Sequence, residues 1–109
     1  MVNSPMRVRL QTIGRKSGRL HTVRITAVLH EGEYYFSRHR PDSDWFLNAI
    51  HNPAVTILLN NNDMIKGRAE QVHGTSQISL ISSIKYPNDP RAKERRVVIR
   101  VIPVKAASR

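Results

Sequence analysis

The chain contains no cysteine. That absence excludes disulfides and thiolate chemistry, and it fits a reducing, cytoplasmic setting. No apolar run approaches the ~20 residues that a membrane helix needs. The start lacks the apolar central region of a secretory signal. Negative charge is also scarce. Residues 1–30 hold Arg7, Arg9, Arg15, Lys16, Arg19 and Arg24 and not one Asp or Glu, and the formal net charge of the chain is +10. A field of this kind attracts polyanions: nucleic acid, an anionic membrane surface or a small acidic ligand. A second basic cluster, Arg91, Lys93, Arg95, Arg96 and Arg100, is opposed locally only by Glu94.

Several chemistries lack their residues. The histidines, at 21, 30, 39, 51 and 73, are scattered, with no carboxylate or second histidine at ligand spacing, so no metal site is expected. There is no G-x-S-x-G elbow and no G-x-G-x-x-G fingerprint. A chain without catalytic apparatus of its own can still be an enzyme where a cofactor carries the reaction.

The 109 residues suffice for one domain, read as 1–109. Residues 6–13 alternate, with Met6, Val8 and Leu10 opposite Arg7, Arg9 and Gln11, and predict a half-buried strand. Residues 22–30 alternate again, with Val23, Ile25, Ala27 and Leu29 inward and Arg24, Thr26, Val28 and His30 outward. Glu31-Gly32-Glu33 predicts a tight turn and Tyr34-Tyr35-Phe36-Ser37 the returning strand. His39-Arg40-Pro41-Asp42 reads as a loop. A short helix follows through Trp45–Ile50, capped by Asp42 or Ser43 and stopped by Asn52-Pro53. Ala54–Leu59 is continuously apolar and predicts a strand buried on both faces. Met64–Val72 is its hairpin partner, with Gly67 marking a bulge or a close backbone approach. Thr75 or Ser76 caps a second helix, with Leu80–Ile84 and Ile78–Ile81 as its apolar pairs and Tyr86-Pro87 as its end. Arg96–Val104 reads as a last strand. Six short strands and two helices on so short a chain predict a mainly β fold, a six-stranded antiparallel split β-barrel.

Between the first two strands lies Gly14-Arg15-Lys16-Ser17-Gly18. Glycines that allow close approach, two cations and a hydroxyl are the composition of an anion-binding loop. It is not a Walker loop, because three residues rather than four separate its glycines and a strand follows it.

The run Leu10-Gln11-Thr12-Ile13-Gly14-Arg15-Lys16-Ser17-Gly18-Arg19, then Thr22-Val23, then Asp44-Trp45-Phe46-Leu47-Asn48-Ala49-Ile50-His51-Asn52-Pro53, resembles the deazaflavin-dependent nitroreductase family. That family belongs with the split β-barrels of the flavin reductase and pyridoxamine-phosphate-oxidase type. The likeness runs from about residue 8 to 72 and more weakly to 104. It implies an oxidoreductase using coenzyme F-420, a deazaflavin with a phosphate and an acidic tail, to reduce a small electron-poor acceptor: a quinone, a nitro compound or an activated alkene. It implies that Arg15, Lys16 and Ser17 hold the phosphate end and that the stretch from His21 to Thr26, with Thr22, Val23, Arg24 and Ile25, lines the cofactor. Ser37 and Arg38 would meet the ring region, and Trp45 and Asn48 would wall the pocket. Ser37 and Tyr86 are the hydroxyls that could pass a proton, beside solvent. Split barrels of this type often pair, so a homodimer is expected. Two departures from the family stand out, Arg24 in place of proline and a short connection from Arg38 to Asp44. FMN is therefore the alternative cofactor. A basic nucleic-acid-binding barrel, with Tyr34, Tyr35 and Phe36 stacking bases, is the alternative of another class.

Overall fold

The computed structural model describes residues 4–38, 43–89 and 96–104. Six strands are present: β1 (Ser4–Ile13), β2 (Leu20–His30), β3 (Glu33–Arg38), β4 (Ala54–Leu58), β5 (Met64–Val72) and β6 (Val97–Pro103). Two helices accompany them, α1 (Asp44–His51) and α2 (Thr75–Lys85). The strands close into a barrel in the order β1-β2-β3-β6-β5-β4. Every neighbouring pair is antiparallel, as the hairpin reading expects. Residues 39–42, expected as a loop, and Arg91, Lys93, Glu94 and Arg95 lie outside the described residues.

The period-2 pattern decides which side chains fill the barrel. Val8, Leu10, Ile25, Ala27, Tyr34, Phe36, Val55, Ile57, Ala69, Ile99 and Val101 pack inside, joined by Trp45, Phe46 and Ala49 of α1. Trp45 meets Phe36 at 62° and Phe46 at 87° with ring centroids 6.4 and 6.1 Å away, the edge-to-face arrangement aromatic rings favour. The turn between β2 and β3 needs positive φ at two successive residues, Glu31 (52°) and Gly32 (80°), which matches the twist of the flanking strands. Gly67 marks a close approach rather than a bulge. Its pairings with Val55 and Pro103 run without interruption, and a Cβ there would lie 2.5 Å from a Val101 methyl.

Several details differ from the sequence reading. The apolar stretch at β4 is buried on one face only: Val55 and Ile57 point inward, whereas Ala54 is exposed and Thr56 and Leu58 are partly so. A closed barrel has one interior, and no described helix covers this strand from outside. Val28 alternates to the outer side yet is fully buried, because α2 lies there. On α2 it is Ile78, Ile81 and Ile84 that pack on Val28, Tyr35 and Val98. Leu80 is 42% exposed. Neither helix has a side-chain cap. Gly74 precedes α2, and Ser43 precedes α1 without capping it. Its hydroxyl instead accepts a hydrogen bond from Arg38 Nε at 3.1 Å.

Outside β5 and β6, Arg100 Nη2 donates to Glu70 at 2.8 Å, and its Nε lies 3.7 Å from Glu33. The hydrogen bond from Arg100 holds the Glu70 carboxyl below its ordinary value of 4.5. The stabilisation is therefore complete above about pH 4.5 and lost as the pH falls through the lowered value. Chemical denaturation between about pH 5 and pH 3 should show a smaller loss of stability for Glu70→Gln than for the parent. Equal losses would mean that Glu70 titrates alike in the folded and unfolded chain. Arg100 and the buried Arg96 are thus not an open basic patch.

Candidate functional site

The β1–β2 loop is built by local bonds. Gly14 N–H donates to the Arg19 carbonyl at 2.7 Å, Gly18 N–H to the Gly14 carbonyl at 2.9 Å, and Arg19 N–H to Ser17 Oγ at 3.2 Å. Ser17 and His21 fold back over Gly14 so closely that a Cβ on Gly14 would sit 2.6 Å from His21 Nε2 and 2.7 Å from Ser17 Oγ. Only glycine leaves both side chains in place.

Helix α1 locks this loop onto the barrel. Asn48, 4% exposed, accepts from the Arg15 backbone N–H at 3.2 Å and from Arg15 Nη1 at 2.7 Å, and its Nδ2 donates to the buried Thr12 hydroxyl at 3.4 Å. Arg15 Nη2 also reaches Asp44 at 3.4 Å. The backbone N–H groups of Gly14, Arg15, Gly18 and Arg19 are all engaged within this network. Among the described residues, the loop donors without a partner are the Lys16 ammonium, the Arg19 guanidinium and the N–H groups of Lys16 and Ser17. Arg15 is thus a positioned wall, and Lys16, exposed and unpaired, is the cation of the cavity lining that is open to a ligand.

A cavity of about 320 Å³ lies here, lined by Gly14, Arg15, Lys16, Ser17, His21, Asp44 and Asn48. It has one carboxylate, Asp44, which Arg15 offsets. His21, the first residue of the stretch that the family resemblance implies as cofactor lining, is brought to the cavity by the turn.

Beside this cavity the barrel is split. β2 has eleven residues, but only Val28, Leu29 and His30 pair with β3. The stretch Leu20–Ala27 presents an edge with no strand partner on that side. Its alternation puts Val23 and Ile25 on the barrel side and Thr22 and Arg24 on the outer side, so these four cannot line one face together. Arg38, at the end of β3, connects through Ser43 to the first turn of α1, whose Asp44 meets Arg15. Lys16, Ser17, Arg15 and Asn48 therefore come together, with Arg38 joined to them by the start of α1.

Three expected residues stand apart. Trp45, 7% exposed, fills the barrel and does not line the cavity. Ser37 alternates away from the interior and is 2% exposed. Its hydroxyl accepts from Lys85 Nζ and from Arg96 Nε, both at 3.3 Å. Tyr86 belongs to the same cluster. It accepts from Arg96 Nη2 at 3.3 Å, and the Arg96 guanidinium and Lys85 ammonium lie 4.9 and 5.3 Å from its ring centre. Ser37 and Tyr86 are thus neighbours through Arg96, and neither lines the Gly14 cavity. Tyr34, Tyr35 and Phe36 are all buried, at 9, 3 and 0% exposure, which removes the stacking platform of the nucleic-acid reading.

The fold is that of a split β-barrel. The family model for F420H(2)-dependent quinone reductase matches residues 2–106, and the chain belongs to this family. It is accordingly a deazaflavin-dependent oxidoreductase. Solved structures share the fold. A conserved hypothetical protein from Mycobacterium tuberculosis is 20% identical over 91% of this chain and 73% of its own, with a TM-score of 0.77. An F420-H2 dependent reductase is 21% identical over 87% of this chain and 92% of its own, with a TM-score of 0.69. A domain-swapped dimer is 21% identical over 87% of this chain and 78% of its own, with a TM-score of 0.70. No curated protein matches by sequence. No described helix is long and apolar enough to cross a membrane.

Proposed function

We propose that the protein uses reduced coenzyme F-420 to reduce a small electron-poor acceptor, a quinone, nitro compound or activated alkene. The observation that carries this reading is the loop cavity, where Lys16 is the open cation beside a positioned Arg15. The donor set fits a phosphate: an unpaired ammonium, the Ser17 hydroxyl and two free backbone N–H groups, with Gly14 providing room. Arg19, exposed at the end of the loop, adds charge toward an acidic tail. The open edge of β2, flanked by Val23 and Ile25 and approached by Arg38, offers backbone donors and acceptors and an apolar surface to a flat polar ring. The cofactor, when bound, supplies a hydride to the acceptor. The chain contributes position and charge, and excludes water where Val23 and Ile25 border the split. With Ser37 and Tyr86 outside the cavity lining, solvent is the proton source. We also read the working form as a homodimer, an assembly that light scattering of the pure protein would test.

Calorimetric titration of the pure protein with the deazaflavin and with FMN tests the assignment. Lys16→Ala should raise the deazaflavin dissociation constant by roughly 10–100-fold, the worth of a charge-assisted hydrogen bond, while leaving the melting temperature unchanged. Unaltered affinity would remove the phosphate end from this loop, and tighter binding of FMN than of the deazaflavin would replace the cofactor.

A further inference from the structure

We propose that the outer face of β2, β1, β4 and β5 is a docking surface for an anionic lipid bilayer. The strand registers place its residues in rows. Arg24 lies opposite Arg9, Arg9 opposite Leu58, and Leu58 opposite Met64. The next row runs Thr22, Gln11, Thr56 and Lys66, and Val104 adjoins it through a 2.9 Å bond from its N–H to the Lys66 carbonyl. Arg7 faces Thr26, and Leu20 pairs with Ile13 at the loop end.

This face has three unusual properties together. First, its outward positions carry Arg7, Arg9, Arg24, Lys66 and Arg68, and their one carboxylate, Glu70 at the end of β5, is bonded to Arg100. The acid at its border, Asp63, is bonded to Asn61 in the β4–β5 turn. Second, Arg9 and Arg24 are directly cross-strand, an arrangement that disfavours the fold. Neither has an ion-pair partner among the described residues, so an external anion would relieve their repulsion. Third, large aliphatic side chains stand exposed between the cations: Leu20 at 66%, Met64 at 59% and Val104 at 60%. The helices leave Arg7, Arg9, Arg24, Lys66 and Arg68 exposed. α1 fills the barrel with Trp45, Phe46 and Ala49, and α2 packs over Val28, Tyr35 and Val98.

The mixture selects the partner. Single-stranded nucleic acid needs exposed aromatic rings, and this face has none. A second copy docked through the same face would bring two surfaces together whose unpaired charges are all positive. Anionic headgroups complement the guanidinium and ammonium groups, while Leu20, Met64 and Val104 are suited to the boundary between headgroups and acyl chains. This contact lies on the surface and does not depend on the identity of the cofactor.

The test is sedimentation of the full chain with vesicles of phosphatidylcholine alone and with added phosphatidylglycerol. Binding to the anionic vesicles only, falling in high salt, is expected. Arg9→Glu/Lys66→Glu should lower the partition coefficient at least ~25-fold, at about fivefold per cation. That variant should stay folded by circular dichroism, since Arg9→Glu makes an opposite-charge pair with Arg24. Met64→Gln should weaken binding without altering its salt dependence. Lys16→Ala should leave binding unchanged, which separates this surface from the loop cavity. No vesicle binding, or equal binding by the double variant, would overturn the proposal. So would tighter, Arg9-dependent binding to a labelled oligonucleotide, which would make the face a nucleic-acid site.

Discussion

Replacing Phe36 with alanine is expected to cost about 3–5 kcal/mol, the largest single effect among the substitutions considered. Phe36 is fully buried on β3 and forms the wall against which Trp45 rests. Its removal leaves a cavity where barrel and helix meet, and neither can collapse far: β3 is held by β2 and β6, and α1 by the Asn48 network. For a domain of this size the loss is a large part of the total, roughly 5–15 kcal/mol. Urea denaturation would measure it. A second consequence separates this site from other core positions. Because α1 carries Asp44 and Asn48 to the loop, the variant should also bind the deazaflavin more weakly. A loss below about 1 kcal/mol would mean that the helix is anchored elsewhere.

Asn48→Ala is the second large effect, about 2–4 kcal/mol. One buried amide satisfies two donors of Arg15 and reaches Thr12. Alanine would strand the Arg15 backbone N–H and release its guanidinium in a partly buried place, and unsatisfied donors cost more than a hydrogen bond gains. Deazaflavin affinity should fall with stability, since the loop loses its attachment to α1. Asn48→Asp keeps an acceptor for both Arg15 groups and should recover most of the affinity. If Asn48→Ala melts like the parent yet binds poorly, Asn48 touches the ligand itself instead of holding Arg15.

The legibility of this molecule differs from element to element. The alternation at Met6–Gln11 and at Val23–Leu29 was readable because a strand with one covered face must repeat every two residues. The spacing of Asn52-Pro53 after Trp45 and Phe46 bounded α1. At Ala54–Leu59 the same logic misled. An apolar run predicts two covered faces, but coverage belongs to neighbours that the local sequence does not name, and here no described helix lies outside β4. Leu80 and Ile81 show the same limit on α2. Both are apolar, and only the position of the barrel decides that Ile81 is buried and Leu80 exposed.

The Gly14–Gly18 loop pointed to an anion from the sequence only when paired with Trp45, Phe46 and Asn48, since alone two cations and a hydroxyl between glycines are more often a plain basic hairpin loop. Which donors remain open was decided by distant partners. Arg15 and Lys16 are adjacent and alike in charge, yet Asn48 and Asp44, about thirty residues further on, engage the first and leave the second. Ser37 likewise looked like a ring contact, until β3's alternation and the helix outside it turned its hydroxyl toward Lys85 and Arg96. The sequence by itself determined the strands, the hairpins, the field of positive charge and the cationic composition of the loop, because these depend on local periodicity and composition. The tertiary structure alone decided which cation of the cavity is free, where β2 stands open, and which side of the barrel wall each polar group occupies. Those depend on contacts between residues far apart in the chain.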